Sequence, residues 1–277
     1  MRSPAGGDAR LALAREVASR YAAHGEVLAV ALGGSVGAGR TAAGSDIDLY
    51  LYLRSALSLE ARSAIAGRDS TRTEVANAFW ESGDEWVDRS TGIAVDVIIR
   101  DPRWIEDELD RVLARHEPSV GYSTCLWANV LGSVPLHDPE GWFGGLLDRA
   151  RVPYPEPLRR AIVARNFPLL RDAMSGYRSQ LAKAQARADL VSLNHRTAAY
   201  LASWFDVLFA LDRVPHPGEK RLLELAEELC PRRPSGMQAL VEALLAGSCA
   251  GAGADVVALA DDLTASLEVL LVEDGLA

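Results

Sequence analysis

The chain has 277 residues, of which 49% are hydrophobic and 24% are charged, as in an ordinary soluble globular protein. This composition excludes a disordered, collagen-like or disulfide-framework protein, and the length predicts about two domains. The formal net charge of −9 disfavours a protein that wraps nucleic acid, because such a protein sets Lys and Arg against phosphates.

Three apolar runs in the N-terminal half predict buried strands, over residues 27–32, 47–53 and 93–99. Helical patterns lie before, between and after these runs, over residues 9–21, 58–77 and 104–115. The strand signals stop at Pro118, and residues 119–131 are compatible with a helix. Alternation of this kind predicts an α/β region with a mixed sheet and helices on one side.

Five prolines between residues 135 and 157 predict a hinge, and the pattern from residue 158 onward is helical to the end. We therefore expect an α/β (α+β) domain over 1–134, a hinge over 135–157 and an all-α helical bundle over 158–277.

The chain shows no secretory signal peptide and no membrane span, so a cytoplasmic protein without a membrane partner is expected. Its three cysteines are far apart and have no metal-ligand spacing, which predicts reduced thiols.

Two carboxylates, Asp46 and Asp48, stand two residues apart at the start of the second predicted strand. Side chains alternate along a strand, so both are expected to point to the same face. Two carboxylates that face the same way repel each other unless a cation lies between them. A divalent ion with oxygen ligands is the natural occupant, and Mg²⁺, which also takes phosphates as ligands, suits a nucleotide.

The segment Gly33-Gly34-Ser35 follows the first predicted strand. Glycine permits close backbone approach and positive φ, and a helix that begins near Ser35 would direct free backbone N–H groups outward. Phosphate is the favoured ligand of such a turn, and the serine hydroxyl can add a donor.

A third carboxylate, Asp96, lies inside the third apolar run, where an unpaired charge is costly to bury. If this strand lies beside the second, Asp96 joins Asp46 and Asp48 in a site for two metal ions. Asp96 is also the best candidate for the base that deprotonates an acceptor hydroxyl.

Gly34-Ser35, ten further residues, Asp46-Ile47-Asp48 and the later Asp96 resemble the signature of the DNA-polymerase-β-like nucleotidyltransferase superfamily over roughly residues 27–100. The resemblance implies that residues 1–134 form the nucleotidyltransferase domain, that the Gly-Ser turn holds the triphosphate and that Asp46, Asp48 and Asp96 bind Mg²⁺. The helical half is more weakly similar to the bacterial, aminoglycoside-nucleotidyltransferase-like branch.

The resemblance predicts an enzyme that moves a nucleoside monophosphate from a nucleoside triphosphate, for which ATP is favoured, to an acceptor hydroxyl and releases pyrophosphate. The expected acceptor is a small molecule, for example an aminoglycoside-like antibiotic. A protein side chain, as in AMPylation or toxin–antitoxin systems, is the first alternative. A catalytically idle nucleotide-binding module is the second, and the intact trio of aspartates weighs against it. An RNA-tailing role is the third, and the acidic charge weighs against that.

For four further residues, the neighbouring sequence is compatible with both a functional and a structural role. Arg40 and Lys220 are candidates for binding the nucleotide phosphates, although each is also compatible with a solvated surface position. His195, with Asn194, is expected to cap or pack the amphipathic helix that carries Tyr200 and Trp204. Asp206 on that helix can contact the acceptor or pair with Arg196, and the pairing is favoured.

Overall fold

The computed structural model describes residues 5–37, 39, 44–250 and 254–276, with side chains for all of these except 5–8 and Ser35. The chain forms two compact units. The first comprises residues 1–109 and 129–152, and the second comprises residues 110–128 and 153–277.

A six-stranded mixed sheet organises the first unit, in the order β3-β4-β5-β2-β1-β6. Strands β2 and β5 are parallel, and every other neighbouring pair is antiparallel. The strand bounds are β1 Val27–Leu32, β2 Ile47–Leu53, β3 Ser70–Asn77, β4 Gly83–Asp88, β5 Ala94–Arg100 and β6 Val134–His137. The expected mixed sheet is confirmed, with all three apolar runs in adjacent strands at its centre.

One face of this sheet carries the core of the first unit. Helix α1 (Ala5–Ala22) contributes Val17 and Tyr21, which belong to one apolar cluster with Leu49 and Leu51 of β2. Side chains at odd positions of β2 point to this face because strand residues alternate. The even-numbered residues Asp48, Tyr50 and Tyr52 therefore point to the opposite face.

Further helices of the first unit are α2 (Gly34–Gly37), α3 (Leu59–Gly67) and α6 (Trp142–Ala150). Helix α6 lies on the face opposite the core, because its Trp142 and Phe143 rings contact Tyr52, with centroids 4.9 and 5.6 Å away. The expectation of helices on one side only is therefore wrong. Two of the boundaries between the units fall within the sequences of α4 (Pro102–Leu113) and α5 (Cys125–Leu131).

The second unit is helical, as expected. Its helices are α7 Glu156–Leu170, α8 Tyr177–Ala186, α9 Leu190–Leu211, α10 Leu222–Leu229, α11 Met237–Ala250 and α12 Val256–Glu273. Helix α9 is its central element, and its Tyr200 and Trp204 side chains are buried against α12, where they bond Ala260 and Leu263 carbonyls.

The segment over residues 58–77 differs from its prediction. It is divided between helix α3, capped by Ser58, and strand β3, so a helix through residue 77 is wrong. Strand β3 lies at the sheet edge, where half of its residues are exposed and the others are partly buried, and the sequence therefore shows no alternation of apolar residues there.

The region from Pro118 to residue 157 also differs. Only Cys125–Leu131 of the segment 119–131 is helical. The expected hinge contains α6 and most of β6, so strands do not end at Pro118. Pro135 is tolerated in β6 because this strand is at the edge of the sheet and pairs only with β1.

Within the described ranges, no helix combines the length and apolar character needed to cross a bilayer. Cys125, Cys230 and Cys249 are free thiols.

Candidate active site

Asp48 and Asp96 lie directly opposite each other on the parallel strands β2 and β5. Residues paired across neighbouring strands share a face, and the strands are about 4.8 Å apart. The two carboxylates are therefore adjacent on the face opposite the core. Both side chains are half-buried, so they remain open to a ligand.

A third carboxylate extends this row. Glu85 on β4 pairs with Asp96 across the antiparallel β4–β5 ladder, and its Oε1 accepts a hydrogen bond from Asn77 Nδ2 at 3.2 Å. Glu85 is absent from the predicted site residues, because the register of β4 against β5 is not visible from either segment alone. The segment over residues 83–88 is mostly polar and has no alternation of apolar residues that would mark it as a strand.

The Asp96 carboxyl group has a pKa raised to about 6. Burial is the largest cause, and the negative charges of Glu85, Asp48, Asp46 and Glu81 raise it further. No hydrogen-bond donor from the described residues reaches this carboxylate. The anionic form of Asp96 therefore lacks a compensating hydrogen bond from these described residues.

Asp46 is exposed and lies just before the first residue of β2. In the part of the chain that the structure describes, no three His, Cys, Asp or Glu side chains are gathered closely enough to hold a metal ion. Asp46, Asp48 and Asp96 thus do not form a three-ligand group here.

The adjacent carboxylates nevertheless have the donor chemistry that Mg²⁺ requires. Proteins commonly hold this ion through one or two carboxylates, while phosphates and water complete the octahedron. Asp48 can supply such a ligand, and the negative charge of the adjacent Asp96 favours a cation at this place. The residues present therefore fit Mg²⁺.

The glycine turn between β1 and β2 packs directly against Asp48. Gly33 N donates to Asp48 O at 2.9 Å, and Gly37 N donates to Gly33 O at 2.8 Å. Gly34 has φ +58°, and a Cβ at that position would overlap Asp48 Oδ2. Only glycine combines this backbone conformation with such close approach, so the turn is seated against the carboxylate.

Ser35 belongs to the short helix α2 that forms this turn, and its side chain lies outside the described residues. Arg40 also lies outside them. Their roles as phosphate ligands remain predictions.

Three other candidates belong to the second unit. Lys220 is exposed in a turn before α10. His195 and Asn194 are exposed inside α9, where Asp189 is the N-cap, so the expectation that they cap or pack this helix is wrong.

Asp206 does not pair with Arg196. Its carboxylate is buried and accepts hydrogen bonds from Ser123 N at 3.0 Å, Ser123 Oγ at 2.6 Å and Asn166 Nδ2 at 3.1 Å. The exposed Arg196 side chain lies on another face of α9. Asp206 therefore binds the segment before α5 to helices α7 and α9.

No protein-family model matches this sequence, and no curated protein matches it. Among solved structures, the chain is similar to a nucleotidyltransferase-like protein from Exiguobacterium sibiricum 255-15. The two are 13% identical, the match covers 94% of this chain and 73% of that one, and the TM-score is 0.43.

Proposed function

We propose that this protein is a Mg²⁺-dependent nucleotidyltransferase, which transfers a nucleoside monophosphate from ATP or another nucleoside triphosphate to a hydroxyl group. One observation carries the proposal: Asp48 and Asp96 are in register on one sheet face, with Gly34 seated against Asp48. This arrangement supports a bound triphosphate beside two adjacent carboxylates, whose mutual repulsion favours a nearby cation.

In this proposal the turn over residues 33–37 holds the terminal phosphates, and Asp46 and Asp48 face the triphosphate through the metal. When bound, Mg²⁺ neutralises the phosphate charge and stabilises the attacking and leaving oxygens. Ser35, Arg40 and Lys220 are assigned to the phosphates by this proposal.

Asp96 is assigned to the acceptor side. The order across the sheet is the turn after β1, then Asp48 on β2, then Asp96 on β5, so Asp96 is farther from the turn. Its carboxylate takes the acceptor proton as the acceptor oxygen bonds to the α-phosphorus. The bond from that phosphorus to the bridging oxygen breaks, and pyrophosphate leaves with the electron pair. In the metal-free protein the pKa of about 6 leaves most of the Asp96 carboxyl deprotonated at neutral pH, as a base requires.

The proposed acceptor is a hydroxyl-bearing small molecule, aminoglycoside-like in carrying positive charge. The net charge of −9 and the presence of Glu85 beside Asp96 support a cationic acceptor.

The test is a panel of nucleoside triphosphates with candidate acceptors, read out as pyrophosphate release with and without Mg²⁺. We expect release with at least one nucleotide, its loss in EDTA and its loss in Asp48→Asn. Asp148→Asn, which changes an exposed carboxylate on α6, is the matched control and should retain activity.

Mass spectrometry of cell extract incubated with labelled ATP separates the acceptor classes. Label on a small molecule supports the proposal, whereas label on protein replaces its acceptor with a side chain. Turnover that EDTA leaves unchanged contradicts the metal dependence.

A further inference from the structure

The phosphate turn, defined as residues 33–37, rests on an aromatic ring. Tyr50 is two residues beyond Asp48 on β2, so its side chain is on the same face. A Cβ at Gly33 would collide with the Tyr50 ring, so the backbone of the turn lies directly against it. The turn thus touches Asp48 through Gly34 and Tyr50 through Gly33.

The Tyr50 ring is itself held on two sides. Its hydroxyl oxygen accepts a hydrogen bond from Asn129 Nδ2 at 2.6 Å, and the Arg100 guanidinium lies 4.0 Å from the ring centroid. Tyr50 is only 5% exposed. A buried ring with a bonded hydroxyl and a cation on its face has little freedom to move.

Arg100 is fixed in turn. It donates to both carboxylate oxygens of Glu81 at 2.9 Å, and its Nη1 donates to Asn129 Oδ1 at 3.0 Å. Because Asn129 bonds both Tyr50 and Arg100, the three side chains form one closed network. All of its members belong to the first unit.

We propose that Tyr50 is a positioning residue for the phosphate turn, and that Asn129 and Arg100 keep its ring in place. The turn consists largely of residues with small or no side chains, so the surface beneath it sets the position of its amides. This inference rests on the proposed function, because it assigns the seat of the triphosphate. Misplacing a binding group by about 1 Å can cost as much as ~10²-fold, so a shifted ring should be measurable.

The test is calorimetric titration with MgATP and, separately, with Mg²⁺-tripolyphosphate, which has no nucleoside. Tyr50→Leu should weaken both ligands equally, by about 10-fold or more. Tyr50→Phe keeps the ring and loses only the hydroxyl, so it should restore most of the affinity. Equal losses of affinity for the two ligands would show that the phosphate turn is affected. Loss of a contact with the base or the sugar would weaken MgATP alone.

Tyr21→Leu is the matched control. Tyr21 is a buried tyrosine of the same unit, but it packs in the core cluster and its hydroxyl bonds Asp84. This variant should lower the melting temperature and leave both affinities within about 2-fold, because sites without shared partners act independently.

A double-mutant cycle measures the coupling between Gly33 and Tyr50 in ligand affinity. A change in protein stability alone does not produce such coupling. Gly33→Ala places a methyl group against the ring and should weaken both ligands. Tyr50→Leu removes the ring, so adding Gly33→Ala to it should cause little further loss.

Three results overturn the inference: unchanged tripolyphosphate affinity in Tyr50→Leu, a loss confined to MgATP, or additive losses in the cycle. Failure of the proposed function gives a different result, because wild-type protein would then bind neither ligand. That result would also overturn the assignment of Tyr50.

Discussion

Among the described residues, Asp96 and Asp206 have carboxyl pKa values well above the usual range, for different reasons. Asp96 in the first unit reaches about 6, through burial and the negative charges of neighbouring carboxylates. Asp206 in the second unit reaches about 7, through burial alone, while hydrogen bonds from Ser123 and the charge of Arg111 lower it. The Asp96 carboxyl group is surrounded by other negative charges, whereas the Asp206 carboxyl group is surrounded by hydrogen-bond donors.

The difference separates a group available for chemistry from a group committed to structure. The donors around Asp206 hold the segment 119–124 in place, since Gly121 N also bonds Asn166 Oδ1 at 2.9 Å. The surroundings of Asp96 stabilise its charge only when a cation arrives. A raised pKa by itself does not distinguish a reactive carboxyl group from a structural one. The groups that contact the carboxyl do distinguish them.

The largest expected effect concerns Asp48. Asp48→Asn removes the carboxylate that faces both the turn and Asp96, so turnover should fall by more than about 10³-fold, together with the affinity for MgATP. Without metal, its melting temperature should equal or exceed that of wild type, because repulsion from Asp96 is relieved. Single-turnover kinetics, calorimetry and thermal melts measure these three quantities. A large loss of stability would instead indicate a structural role.

Asp96→Asn should separate binding from chemistry. We expect MgATP affinity within a few-fold of wild type and turnover lower by at least ~10²-fold, the low end of a general-base contribution. The same calorimetry and kinetics apply. If affinity fell as far as in Asp48→Asn, or turnover survived, Asp96 would be a metal ligand or a structural partner and not the base.

Asp206→Ala should lower stability and leave ligand binding unchanged, which is the opposite of the effect expected for Asp48→Asn. It leaves the Ser123 and Asn166 donors buried without an acceptor, so the free energy of unfolding should fall by about 3 kcal/mol. Urea unfolding measures this loss, and MgATP affinity of the folded variant should be unchanged. Asp206→Asn, which retains one acceptor oxygen, should lose less. Loss of affinity at full stability would assign Asp206 to the ligand.

The pH dependence of unfolding should reveal Asp206 as well. The folded protein binds its proton more tightly than the unfolded chain, so its contribution to stability is full below about pH 4 and is lost as the pH rises to about 7. The unfolding free energy of wild type minus that of Asp206→Asn should therefore decrease across this window, by at most about 1.4 kcal/mol per pH unit. A flat difference would show that Asp206 has an ordinary pKa.

The smallest effect is expected at His195. It is exposed on α9, away from the cluster around Asp206, so His195→Ala should change the free energy of unfolding by no more than about 0.5 kcal/mol. Pyrophosphate release should match wild type. A clear loss of activity would place this face of α9 in acceptor binding.

The sequence alone located the three central strands, the glycine turn and the three aspartates. Strands β1 and β2 have the predicted bounds, and β5 differs by one residue, because a run of apolar residues bounded by glycine or proline is a local signal. The pairing of Asp48 with Asp96 was expected only on the condition that their strands were neighbours, and the sheet order meets that condition.

The tertiary structure alone decided the rest. Strands β3 and β4 are polar; β3 pairs with β4 and β4 pairs with β5, and the second pairing brings Glu85 beside Asp96. Tyr50 meets Asn129 from 79 residues away, and Ser123 meets Asp206 from 83 residues away. A sequence shows which groups are able to form hydrogen bonds. Which of them actually do so depends on strand register and on packing between distant segments. For that reason Asp206 could be recognised from its sequence context as unusual, while its partners could not.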